Sequence, residues 1–175
     1  MSIDIKPHAY DPVTQPELFE GVLPRRVVAF IIDFIIIAIV AIPLAALLAV
    51  FIFAFGIVTL GIGWVLFVLI WPALLVWAIL YFGLTCASPA SATIGMRVMD
   101  LEMRTWYGAP AYFVLGAVHA IVFWLSVSML TPFILLVAFF NERQRLLHDI
   151  VLGTVVINNA RRAANLRAGM AGVPG

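Results

Sequence analysis

The chain has 175 residues, 65% of them hydrophobic and only 11% charged, with a mean hydropathy of +1.14. Such values lie outside the soluble globular range and point to an integral membrane protein, with room for one small bundle and no separate soluble domain. A formal net charge of +1, without a basic stripe of interleaved aromatics, sets a nucleic-acid partner aside.

Residues 1–24 read as a polar tail with four prolines and the acids Asp4, Asp11, Glu17 and Glu20. That is not the basic start and short apolar core of a cleavable signal, so the first span is expected to stay in the mature protein. The tail is expected to lie extended along the surface. Leu18 and Phe19 are its candidates for tucking into the interface.

The first span, about residues 25–55, opens on Arg25 and Arg26, and Asp33 is the one other ionisable group inside it. Asp33 follows Arg26 by two helical turns, about 10 Å along the axis, which puts both on one face. A carboxylate inside a spanning helix costs roughly 2.5–3.5 kcal/mol on insertion scales, so it should face other helices or a wet cavity. Its side chain leans back toward Arg26 and the positive end of the helix. Two readings stay open: a charge pair that pins the helix, and a proton or cation site. Pro43 predicts a bend.

Gly56, Thr59, Gly61 and Gly63 predict a short uncharged turn into a second span over residues 63–84. Trp64 near one end and Tyr81 near the other fit interfacial belts. The two runs predict an antiparallel hairpin. Arg25, Arg26, Arg97 and Arg104 flank its base, so the positive-inside rule places the N-terminus in the cytoplasm.

Residues 91–108 form the polar connection, where Met96, Val98, Met99, Leu101 and Met103 alternate with charged groups. The pattern fits a short strand or an amphipathic segment on the membrane, and the interfacial reading is favoured. Residues 111–140 make a third apolar block, interrupted at Thr131-Pro132 and followed by basic sequence. A single crossing would leave that basic end outside, so a broken or re-entrant block is favoured. His119 lies within it and is weighed as a hydrogen-bonded bundle residue, with a secondary binding role as the alternative.

Residues 143–153 predict an interfacial amphipathic segment in which Arg145, His148 and Asp149 cluster at one end. The TVVI run that follows is β-prone, and 158–175 form a basic tail. No GxSxG, HExxH or Walker pattern is present, so no catalytic residue, cofactor or enzymatic activity is predicted. No CxxC or Cys/His cluster has zinc spacing, so no metal is predicted either. Cys86, the one cysteine, reads as a buried small residue.

RRVVAFIID (Arg25–Asp33), ATIGMRVM (Ala92–Met99) and RLLHDIVLGTVV (Arg145–Val156) together resemble the RDD family of small bacterial membrane proteins. The similarity runs over most of residues 25–157, and the arginine and two aspartates of the family pattern fall on Arg26, Asp33 and Asp149. Glu102 departs from it, standing where an arginine or a neutral residue is expected. The resemblance implies a multi-pass inner-membrane protein, with transport, including sodium/proton exchange, suggested for some relatives.

The sequence therefore predicts an all-α membrane protein: a two-helix hairpin, a third broken segment and a C-terminal amphipathic segment. Arg26, Asp33 and Asp149 are expected to gather at the cytoplasmic side, with Arg145 and His148 beside them. Two functions remain open. One is transport of a cation, proton or small solute, requiring a homo-oligomer around a pathway. The other is an accessory or assembly subunit of a larger membrane complex, in which the charges act as a structural lock. The bilayer is the partner common to both.

Overall fold

The computed structural model describes residues 9–130, 143 and 145–171. Its two longest apolar runs are helical. α1 spans Val22–Val58 and runs unbroken through Pro43. After a turn in which the Thr59 hydroxyl donates to the Phe55 carbonyl (2.8 Å) and accepts from the Gly63 amide (2.8 Å), the second run begins as a 3-10 helix, Ile62–Leu69. It continues as α2, Ile70–Cys86. Both runs are long and apolar enough to cross a membrane. Most of their large side chains are exposed, including Ile39, Leu47, Phe51, Val65 and Trp71, as expected where lipid rather than protein covers the helix.

The connection after α2 folds into the short helix α3, Ile94–Val98, and the strand β1, Leu101–Thr105. α4, Phe113–Leu130, then packs on α2. The Thr131-Pro132 interruption lies outside the described residues. The chain comes back with α5, Leu147–Leu152, strand β2, Thr154–Asn158, and α6, Ala160–Ala171. Gly153, between α5 and β2, has φ +63°, a conformation that costs glycine little and lets the helix pass straight into the strand.

β1 and β2 pair antiparallel, with Leu101 opposite Asn158, Met103 opposite Val156 and Thr105 opposite Thr154. The all-α expectation is thus approximate: a two-stranded sheet sits at the α1 N-terminal end. Residue 101 onward forms a paired strand where an interfacial segment was favoured, because β2 supplies the ladder partners. Period-2 alternation sends Leu101, Met103 and Val156 into a core with Val22, Ala29, Cys86 and Leu115. Val155 and Ile157 point to the opposite face, which Phe19 covers, with Leu18 and Tyr10 packed against it.

The stretch ahead of α1 therefore departs from the extended tail expected of it. Phe19 is buried, and the Asn158 amide donates to the carbonyls of Glu17 (2.9 Å) and Glu20 (3.0 Å). The Asn158 carbonyl accepts from Arg25 (2.7 Å), so both ends of this buried amide are satisfied. α6 is tethered through Arg161 to Asp100 and Arg167 to Glu17. The sheet, α3, α5, α6 and residues 9–21 together form a cap on the hairpin.

Candidate functional site

The buried face of α1 near the cap carries Val22, Ala29 and Asp33, with Arg26 between them, spaced as successive turns of one helical stripe. The two charged side chains on this stripe part company. Asp33 Oδ1 accepts from the Tyr81 hydroxyl of α2 (2.6 Å) and from the Gly95 amide (2.7 Å), while Oδ2 accepts from the Thr93 hydroxyl (2.6 Å). These are the short contacts typical of hydrogen bonds to a carboxylate. Thr93 also caps α3, its oxygen accepting from the Met96 amide (3.1 Å). One carboxylate thus ties α1 to α2 and to α3.

Gly95 makes this possible. A Cβ there would stand 2.1 Å from the Ala29 carbonyl oxygen and 2.9 Å from Asp33 Cγ, so only glycine lets the start of α3 lie against α1. The ATIG stretch supplies both requirements, a capping hydroxyl and a residue without a side chain.

Arg26 reaches the C-terminal half of the chain instead: its guanidinium lies 2.6 Å from Asp149 Oδ2, and Asp149 is completely buried. Asp149 Oδ2 also accepts from the Leu146 amide (3.0 Å) at the start of α5, and Oδ1 accepts from the Thr154 hydroxyl (3.3 Å). Burial is the largest single influence and raises the Asp149 carboxyl, but the Arg26 charge and hydrogen bond together with the neighbouring His148 and His119 outweigh it and hold the group well below the usual carboxylate range. Arg145 turns away from this carboxylate. It donates to the backbone carbonyls of Thr154 and Asp149, both at 2.8 Å, and its guanidinium stacks 4.0 Å from the Trp106 ring centroid.

His148 is buried beside Asp149, and burial pushes its imidazole down to about 3, so the ring is neutral at physiological pH. His119, from α4, meets it edge to face at 4.7 Å between centroids. A cavity of about 380 Å³ opens between α1, α4 and the cap, within the size range of small-ligand sites. Phe30, Phe123 and Met96 give it apolar walls, while Arg26, Asp33, His119 and His148 supply its polar groups.

Of the residues singled out in the sequence, Arg26, Asp149, His148 and His119 come together directly. Asp33 shares the cavity with them but is held by other partners, and Arg145 supports the backbone around Asp149. Tyr81 belongs to Asp33 rather than to an interfacial belt, being 6% exposed. Thr93, Gly95, Thr154 and Asn158 were not legible as site residues. The capping threonine followed by glycine in ATIG is the signal that could have found the first two. The family model described as RDD family matches residues 21–153. No curated protein and no solved structure matches the chain.

Proposed function

Because the chain belongs to the RDD family and carries two helices fit to cross a bilayer, we propose that this membrane protein is a non-enzymatic accessory or assembly subunit whose arginine and aspartates act as a lock. The observation that carries this reading is how the two carboxylates are held: three short hydrogen bonds on Asp33, and a buried ion pair plus a helix cap on Oδ2 of Asp149. A carboxylate that must load and release a proton or cation gains from incomplete satisfaction; Asp33 has both oxygens engaged, and with the Arg26–Asp149 pair it fastens the cap to α1.

The reading includes a topology in which the cap is cytoplasmic and the protein multi-pass in an inner membrane. Pairing of β1 with β2 supports it, since the chain leaves the cap at Ala111 and is back by Arg145. The chain then returns to the side of the membrane that it left. Arginines from Arg25 to Arg167 gather at this end, as the positive-inside rule requires of a cytoplasmic face.

Transport is the second reading, and the cavity favours it: a chamber with Arg26, Asp33, His119 and His148 in its lining offers a solute both charge and apolar walls. Asp33→Asn separates the two. A lock predicts lowered abundance and a protease-sensitive cap, with no pH-dependent cation flux in proteoliposomes even for the parent. A carrier predicts normal abundance and a parental flux that the variant loses.

A further inference from the structure

His119 of α4 and the adjacent His148 and Asp149 of α5 present one donor atom each within 4.8 Å of one another, although they show no metal-type spacing in the chain. Asp149 Oδ1 lies 3.8 Å from His119 Nδ1 and 3.7 Å from His148 Nε2. Those separations are too long for direct hydrogen bonds. They suit donors that share an atom placed between them.

The two imidazoles meet each other edge to face, and Phe123 packs edge-on against His148. Among the described residues His119 Nδ1, which faces Asp149, is buried without a hydrogen-bond partner; His148, whose Nε2 faces the same carboxylate oxygen, is 1% exposed. Leaving a buried polar atom unpaired costs about 1–3 kcal/mol, so a group that engages His119 Nδ1 removes a real penalty. Arg26 does not block the site. It holds Oδ2, while the oxygen that faces the rings is Oδ1, whose one hydrogen bond among the described residues is the long 3.3 Å contact from Thr154.

We propose that His119, His148 and Asp149 bind a divalent transition-metal ion of the zinc class. Two imidazoles and a carboxylate suit such ions, and a modest closure of the three side chains gives bonds of about 2.0–2.2 Å. Magnesium and calcium, which take oxygen ligands, are excluded by the two nitrogen donors. His119 and His148 also line the cavity, so further coordination positions face it. The site goes beyond the lock, since it uses the carboxylate oxygen that the ion pair leaves, and it stands or falls independently of it.

The test uses the full chain on a histidine-free affinity tag, stripped with EDTA and titrated with Zn2+, Mg2+ and Co2+. Expected are one Zn2+ per chain by elemental analysis, no Mg2+ binding, and visible d–d absorption from bound Co2+. His119→Gln should weaken Zn2+ binding by about tenfold or more while the metal-free Tm stays at the parental value. His148→Asn should do the same, and supplies the second arm if either variant folds poorly. Absence of stoichiometric Zn2+, or equal affinity in a folded His119→Gln protein, overturns the proposal and leaves a bridging water as the occupant.

Discussion

Replacing Arg26 by methionine leaves Asp149 buried and ionised at the base of α5, without the guanidinium that now sits 2.6 Å from it. Breaking a buried pair from one side costs about 3–5 kcal/mol, because the remaining charge stays desolvated. At roughly 2–4 °C per kcal/mol for a chain of this length, the Tm should fall by about 6–20 °C. Asp149→Asn, which strands Arg26 instead, should cost a similar amount, while its amide oxygen can still accept from the Leu146 amide that Asp149 caps. The double variant, Arg26→Met with Asp149→Asn, removes both charges of this pair and strands neither. It should therefore be more stable than the sum of the single losses predicts, by an interaction energy of about 1–3 kcal/mol. Thermal unfolding of the four proteins in one detergent reads this directly. Single losses below about 1 kcal/mol that simply add would refute a lock between α1 and α5.

Three further outcomes follow from the same contacts. Gly95→Ala should cost at least about 1–3 kcal/mol through overpacking, read as a fall in Tm or in membrane abundance. Ala29→Gly should not rescue it, because the atom that a new Cβ would meet is the Ala29 backbone oxygen. Phe19→Ala should destabilise the cap by about 3–5 kcal/mol and expose the outer face of the sheet to protease, since Phe19 covers Val155 and Ile157. Asp100 is held below its ordinary carboxylate value by its bond to Arg161, then by Asn159 and the Arg25 charge, although partial burial opposes this. A carboxyl with a lowered folded value contributes above its unfolded pKa, and the contribution is lost as pH falls through the folded one. Amide exchange in α6 should therefore rise as acid protonates Asp100, and Arg161→Ala should show that faster exchange already at neutral pH.

The two long apolar helices were legible because a run of apolar residues long enough to cross a bilayer has few other folds open to it. The shared face of Arg26 and Asp33 was legible from helical periodicity, yet their pairing was not. Periodicity places side chains on a stripe but does not show which donors from Tyr81, Thr93 and Gly95 will reach the carboxylate first. The sheet was half visible: alternation around Leu101 and Met103 and the β-prone TVVI run were each apparent. Their pairing joins segments on either side of α4, and no local signal marks a partner that far along the chain. The slip in alternation between Val98 and Met99 is itself structural, for α3 ends at Val98 and the chain turns through Asp100, at φ +55°, into β1. Asn158 reads locally as the start of a tail, because nothing nearby in the chain marks an asparagine satisfied by Arg25, Glu17 and Glu20.

Amide hydrogen exchange on the full chain in lipid nanodiscs, comparing β2 in the parent and in Asp149→Asn, bears most directly on the role of the buried charges. If they fasten the cap, residues 154–158 exchange slowly in the parent and lose most of that protection in the variant, while the middle of α1 is unchanged. Equal protection in both proteins would contradict the account.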